Sequence, residues 1–334
     1  MENMISVVVV TYNQEDTIGR TLDSILMQQC HVPYEIIIGE DCSTDSTLSI
    51  CRGYAEKHPN VIRLIANEEN KGFINNYFDC ILAARGKYIA DCAGDDFWID
   101  PLKLKKEVCI LENHPEVTLV HTDWNKYDES TQIATASARK PFTDSMTDGK
   151  QMLEAIITQT SIPVVHLCTS LYRTDIIHKA LEEDEYLFRN KDFGCEDVQI
   201  VFIMALHGKI AYIPDATLNY SQGKDTVSTS KDDKKQFRFV RRVSDLSYYL
   251  SQKYDINSTK VEDYFRYRIF ALGMHAFRSH DADLYHEVLE CEKAWKVQRT
   301  LKNSCLFLVM HHDWLWGIGL LARKVFVTLK RVCR

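Results

Sequence analysis

The chain has 334 residues, 45% apolar and 26% charged, a composition that excludes a disordered or fibrous chain and leaves room for one large α/β domain with an appendage, or for two domains. A net charge of −7 excludes nucleic-acid binding by bulk electrostatics. The charge is uneven: residues 296–334 hold eight Lys/Arg and one acid, Asp313, so that tail is +7 and the remainder −14.

Residues 5–10 are a β-branched apolar run and predict a buried parallel strand. The run breaks at Thr11-Tyr12-Asn13, and residues 14–29 take up helical spacing through Ile18, Leu22, Ile25 and Leu26. Residues 34–39 repeat the design and end in Glu40-Asp41-Cys42-Ser43-Thr44-Asp45, before a helix over 46–57 that His58-Pro59 closes. A third strand over 61–65 leads through 67–72 into a helix over 73–84. Gly86-Lys87 then turns into a fourth strand, 88–90, which ends in Asp91, Asp95, Asp96 and Asp100 ahead of Pro101. This alternation predicts an α/β fold with a doubly wound, mostly parallel sheet flanked by helices.

Polar residues stand at all four strand ends: Thr11 to Asn13, then Asp41, then Asn70 and Lys71, then Asp95 and Asp96. In an open α/β sheet these ends share the crevice where ligands bind. Oxygen-only donors there suit Mg²⁺ or Mn²⁺, whereas the same acids also serve as ordinary turn and helix-cap chemistry; from the fourth strand alone both readings stand. There is no GxGxxG after the first strand and no GxxxxGK[ST] anywhere, which removes the main support for dinucleotide-binding and P-loop readings.

The ordered segments SVVVVTYNQEDTIGRTLDSIL, EIIIGEDCSTDST, the NKG of Asn70, Lys71 and Gly72, and GKYIADCAGDDFWIDPLKL resemble the family 2 glycosyltransferases of the GT-A fold, as found among bacterial surface-polysaccharide enzymes. The likeness is tight over about the first 110 residues and weak to about residue 230. It implies that Thr11, Tyr12 and Glu15, with Asn13 beside them, hold a uridine-type base and ribose, and that Asp41 accepts a hydrogen bond from the base. It implies that Asn70, Lys71 and Gly72 approach ribose and phosphates, and that Asp95 ends the D-x-D element that binds the Mn²⁺ or Mg²⁺ bridging the diphosphate of a nucleotide-sugar donor. The first acid of that element is replaced by Ala93; Asp91 and Asp96 are the candidates to substitute.

Beyond residue 110, a strand over 117–123 is followed by a polar crossover, 129–147, and a helix over 148–158. Residues 164–172 read as another buried strand, with Thr169 and Ser170 able to face an acceptor, and a helix follows near Asp175. Glu196-Asp197 open an apolar helix over 198–206; two acids there fit the helix dipole, and by the resemblance Asp197 is the general base, supported by Glu196, of an inverting transfer. Two short strands, 209–214 and 217–220, precede a Gly/Ser/Thr-rich loop over the site, 221–230, with Lys224 a weak candidate for a phosphate contact.

The catalytic domain is assigned to residues 1–230 and a helical region to 231–334, with helices over 237–254, 261–280 and 282–295. The tail over 305–322 is interrupted by His311-His312-Asp313 and makes a poor spanning helix. Trp314 and Trp316 between basic flanks suit an amphipathic segment on an anionic membrane surface. Eleven cysteines without a CxxC pair predict reduced thiols, and no secretory signal opens the chain, so the expected location is cytoplasmic, peripheral on the inner face of the membrane. The expected activity is transfer of a sugar from a UDP-type donor to a hydroxyl of a glycan or lipid-linked acceptor. The alternatives are a nucleotide-sugar-binding relative weakened at Ala93, or a nucleotidyltransferase.

Overall fold

The computed structural model describes residues 2–137, 145–159, 165–222 and 231–332, which fall into two compact units, Met1–Gly223 and Lys224–Arg334. The first unit opens with β1 (Glu2–Thr11), α1 (Ile18–Leu26), β2 (Tyr34–Glu40), α2 (Thr47–Lys57), β3 (Ile62–Ala66), α3 (Phe73–Ala83) and β4 (Gly86–Asp91). It continues through β5 (Phe97–Trp98), α4 (Lys103–Asn113), β6 (Val117–Asp128), β7 (Ile133–Ala136), β8 (Met146–Asp148), α5 (Leu153–Thr158) and β9 (Ser170–Arg173). It closes with α6 (Thr174–Glu183), α7 (Glu185–Arg189), α8 (Glu196–His207) and β10 (Lys209–Gln222).

These strands form one mixed sheet in the order β3-β2-β1-β4-β9-β6-β10-β5, with β7 added to β6 and β8 to β10. β1 lies between β2 and β4, parallel to both. That position explains its composition, because Ile5, Val7, Val8 and Val9 are buried whichever face they point to. Ile5, Val7 and Val9 pack with Ile18, Leu22 and Ile25 of α1, each such side chain contributing about 1.5–3 kcal/mol of burial. The sheet is parallel across β3-β2-β1-β4 and becomes mixed beyond, where β9 runs antiparallel to both β4 and β6.

Three expectations are corrected. The strand expected over 164–172 is confined to Ser170–Arg173, position 164 lying outside the described residues. Leu167–Thr169 form a 3₁₀ turn instead: Thr169 Oγ1 donates to the His166 carbonyl and Ser170 Oγ to that of Leu167, both at 2.7 Å. Such local side-chain bonds compete with a strand ladder. The two short strands expected over 209–220 are one strand, whose register against β6 slips between Ile213 and Ala216 and again before Leu218, so that Pro214-Asp215 are absorbed as an irregularity. The crossover over 129–147 carries β7 and β8, although 138–144 lie outside the described residues.

The second unit is helical: α9 (Asp233–Lys253), α10 (Thr259–Ser279), α11 (Ala282–Ala294), α12 (Leu301–His311) and α13 (Asp313–Val332). Asp232, Ser258, Asp281 and Thr300 cap the first four, each accepting backbone N–H groups of the first turn. Phe237, Phe265, Ile269, Leu272, Trp295 and Phe307 form its core. α12 and α13 meet at 111°; no single helix among the described residues is long and apolar enough to cross a membrane, although this bent pair passes that test together. The two tail tryptophans separate: Trp314 is 66% exposed, whereas Trp316 is buried and donates its indole N–H to the Phe277 carbonyl at 2.9 Å.

One ion pair lies wholly inside the first unit. Lys103 Nζ is 2.7 Å from Glu107 Oε2 with both side chains inaccessible, and the ammonium stands 4.5 Å from the Trp98 ring centroid. Lys103→Met would leave Glu107 buried without its cation and is expected to lower the unfolding free energy by about 3–5 kcal/mol in urea denaturation. Lys103→Met/Glu107→Leu should recover most of that; equal losses in the two proteins would show that the pair is not what is being lost.

Candidate active site

The loops after β1 and β2 are laced together. The Asn13 backbone N–H donates to Ser43 Oγ (3.0 Å), Thr44 N–H to Asn13 Oδ1 (2.8 Å), Glu15 N–H to Asp45 Oδ2 (3.2 Å) and Ser46 N–H to Glu15 Oε2 (2.8 Å). Asn13 turns this corner at φ 51°, in the left-handed region where Asn is among the better-tolerated residues. Asp41, nearly buried, accepts from Lys71 N–H (2.9 Å), Gly72 N–H (3.0 Å) and Asn67 Nδ2 (3.0 Å), so one carboxylate shapes the loop ahead of α3. Gly72 sits there at φ 79°, which a side chain would strain.

A cavity of ≈430 Å³ opens between these loops and the end of β4. Thr11, Tyr12, Asp41, Asn70, Gly72 and Asp95 line it, as does Ala93, together with Phe73 and Asn76, which the motif reading did not single out. Tyr12 and Phe73 are 45% and 48% exposed and offer aromatic faces suited to stacking a base. Asn13, Glu15, Lys71 and Asp96 are not in the lining. The first two are spent on the loop lacing, and Lys71 Nζ is held by Asp79 at 2.9 Å. Lys224 lies outside the described residues.

Asp96 is drawn inward instead, accepting the Ser221 backbone N–H at 2.9 Å. Burial, and then the neighbouring Asp95 charge, push its carboxyl well above the usual range. Asp95 is half-buried, and burial raises it as well, with Glu129 adding to the shift and Arg20 opposing it. Gly94 between Ala93 and Asp95 is required by close approach: a Cβ there would lie 2.3 Å from Gln14 Oε1 and 2.9 Å from Thr11 Oγ1.

Arg20 clamps this stretch from α1. Its guanidinium grips both oxygens of Glu129 (2.6 and 3.2 Å) at the end of β6, donates to the Asp95 carbonyl (3.2 Å) and Ser221 Oγ (3.3 Å), and lies 4.2 Å from the Phe97 ring centroid. Ser221 Oγ donates to the same Asp95 carbonyl at 2.6 Å.

Behind the cavity, the Tyr77 hydroxyl donates to Asp91 at 2.9 Å and meets the Tyr172 hydroxyl at 3.1 Å. Burial pushes Asp91 up to about 7, against the pull of these two hydroxyls. Asp91 is absent from the cavity lining, so it does not supply the acid missing at Ala93. Glu196 and Asp197 form the first turn of α8, entered through Cys195 at φ 99°. Both carboxyls are raised chiefly by burial, Glu196 further by the charge of Asp197, while the Leu167 backbone N–H favours the ionised form of Asp197. The charge of Asp197 also raises Asp91 and Asp96, so these acids form one electrostatic cluster.

Asp96, His166 and Cys168 bring ligand atoms within 4.8 Å of one another. A thiol with an imidazole suits zinc rather than magnesium or manganese, and burial holds the Cys168 thiol well above its ordinary value, in its neutral form. The donor that fits a hard divalent cation at the cavity is Asp95, an acid whose burial without a full counter-charge favours a cation beside it.

The family model for Glycosyl transferase family 2 matches residues 6–181, more than half of the chain. The poly(ribitol-phosphate) beta-glucosyltransferase of Bacillus spizizenii is 26% identical over 272 residues, covering 77% of this chain and 41% of that protein. Three mycobacterial proteins are 46% identical over 114 residues, and the chain spans 33% of their length. Among solved structures, S. aureus TarS 1-349 in complex with UDP-GlcNAc superposes with a TM-score of 0.52 at 17% identity, over 87% of this chain and 92% of that one. The mannosyltransferase PcManGT from Pyrobaculum calidifontis, in complex with GDP-Man and Mn²⁺, superposes at 0.51 and 16% identity, over 96% and 88%. The fold is that of these GT-A glycosyltransferases.

Arg20 was not foreseen as a site residue, and its clamp can be tested alone. Arg20→Ala removes charge-assisted hydrogen bonds worth about 1.5–3 kcal/mol each, so amide exchange at Asp95, Asp96 and Ser221 is expected to quicken roughly ten- to hundredfold. Exchange indistinguishable from wild type at those amides would show that the clamp holds nothing.

Proposed function

The chain belongs to glycosyl transferase family 2, and on that premise we propose that it is an inverting glycosyltransferase. It moves a sugar from a nucleoside-diphosphate sugar, a UDP-sugar, to a hydroxyl of a glycan or lipid-linked acceptor in bacterial surface-polysaccharide synthesis. The observation that carries this is the position of Asp197 at the N-terminus of α8, within electrostatic reach of Asp91 and of Asp96, whose neighbour Asp95 lines a cavity with Thr11 and Asp41. TarS and PcManGT, solved in complex with UDP-GlcNAc and with GDP-Man, support the donor class.

In this reading Tyr12 and Phe73 stack the base, while Asp41 orders the Asn70–Gly72 backbone around the ribose and phosphates. Asp95 would hold Mn²⁺ or Mg²⁺, which supplies positive charge to the diphosphate as it departs. Asp197 accepts the proton of the acceptor hydroxyl as that oxygen bonds to the anomeric carbon and the sugar–diphosphate bond breaks, with inversion. Glu196, raised further than an isolated glutamate by its neighbour's charge, keeps its proton and leaves Asp197 as the base. A weakened, binding-only relative is favoured by one observation: Ala93 lines the cavity where the family carries an acid.

Release of nucleoside diphosphate from a panel of nucleotide sugars with Mn²⁺ separates the two readings. Wild type should hydrolyse one donor slowly, and Asp197→Asn should lose at least about a hundredfold. Because burial pushes the Asp197 carboxyl up to about 6, the base is protonated and the rate falls as pH drops through about 6. Binding of a donor with the same negligible turnover in wild type and variant would favour the weakened relative.

We place the protein on the inner face of the cytoplasmic membrane. The support is the exposed apolar set Leu308, Trp314, Ile318 and Leu321 on the bent α12–α13 pair, in a tail of net +7. Removing residues 304–334 should move the protein from the membrane to the soluble fraction; unchanged fractionation would make the tail ordinary packing.

A further inference from the structure

Near Asp96, three rings meet. Trp124 on β6 stands 5.4 Å from His166 and 5.5 Å from Tyr220 on β10, and His166 and Tyr220 are 4.7 Å apart, all between ring centroids. The register explains why two of them share a face: Trp124 is opposite Leu218 and Lys126 is opposite Tyr220, so Trp124 and Tyr220 are diagonal neighbours on one side of the sheet. His166 is brought to them by the 3₁₀ turn that replaces the expected strand. All three are half-buried, packed on the edge of the core rather than inside it.

The cluster adjoins the proposed base. Leu167, next to His166, donates its backbone N–H to Asp197; Ser221, next to Tyr220, donates to Asp96. A ligand atom of His166 lies within 4.8 Å of one of Asp96. None of the three rings lines the nucleotide cavity. The rings thus adjoin Asp96 and Asp197 without lining the nucleotide cavity, a place from which a second substrate can reach the proposed base.

Half-buried aromatic faces with polar tips match one ligand chemistry well. A pyranose ring carries C–H bonds whose partial positive charge is drawn to the negative face of an aromatic ring, and hydroxyls that bond to polar groups beside that face. We infer that Trp124, His166 and Tyr220 form the acceptor subsite, and that the acceptor presents a pyranose ring there with one hydroxyl toward Asp197. This rests on the glycosyltransferase reading of Asp197 and names the chemical class of its second substrate.

The test uses the full chain with UDP and Mn²⁺ and saturation-transfer NMR of methyl β-glucopyranoside, methyl β-galactopyranoside and methyl N-acetyl-β-glucosaminide, with ribitol phosphate as the acyclic probe. Ring protons of at least one pyranoside should receive saturation from wild type and from Trp124→Phe, which keeps an aromatic face. Affinity should fall about tenfold in Trp124→Leu and in Tyr220→Leu, with UDP affinity within twofold of wild type. Retained UDP affinity reports an intact first unit, so that the loss belongs to the rings. Equal saturation in the two leucine variants, transfer to ribitol phosphate alone, or no transfer to any pyranoside would overturn the inference. Failure of wild type to bind UDP would count against the donor reading instead, and is seen separately from the pyranoside signals.

Discussion

Asp91, Asp95, Asp96, Glu196 and Asp197 crowd into one buried, partly dry corner at the end of the sheet. Ionising all five there would cost far more than hydrogen bonds return, because a buried carboxylate without a partner is among the most expensive groups a fold can carry. The structure divides the burden. Tyr77 and Tyr172 hold Asp91, and the Ser221 backbone holds Asp96. The buried Lys103 lies near enough to favour the ionised form of Asp91. Asp95 is left facing the cavity, and Asp197 keeps a backbone donor that favours its charge. The acids are thereby assigned different states by their surroundings, as the separate roles proposed for Asp95 and Asp197 require.

What could be read along the chain was whatever depends on short period. Five residues of β-branched apolar sequence suffice for β1, because a strand flanked on both sides and covered on both faces tolerates little else. The acids at the strand ends declared themselves for the same reason: turn chemistry is local. Arg20 did not. On a helix face it reads as a solvated charge, and its partners lie 75 to 201 positions away in sequence, joined only when β6 and β10 pair. Ser221 and Glu129 were hidden in the same way, inside stretches taken for loops.

Where a local signal was present but misread, hydroxyl side chains were the cause. The run around Cys168 has the apolar content of a strand, but Thr169 and Ser170 each bond back to a carbonyl three residues earlier and close a tight turn. That turn delivers His166 and the Leu167 N–H to the site. In the tail, spacing alone could not show that Trp316 is a core residue and Trp314 a surface one. Both stand on α13, two residues and so about 200° apart around the helix, and the packing of one face against Phe277 and Tyr285 decides which ring is buried.

The Arg20 clamp also bears on how such a chain can change. It joins α1 to the end of β6 and the end of β10, so three stretches far apart in sequence are stitched by one side chain. Altering position 20 alone would strand Glu129 close to Asp95, like charge beside like charge, whereas altering 129 alone would leave a guanidinium lodged between Phe97 and Tyr127 with no carboxylate to meet. Positions 20, 129 and 221 are therefore expected to drift together through evolution. Exchanging the β6–β10 stretch between homologues should succeed when all three positions are exchanged together.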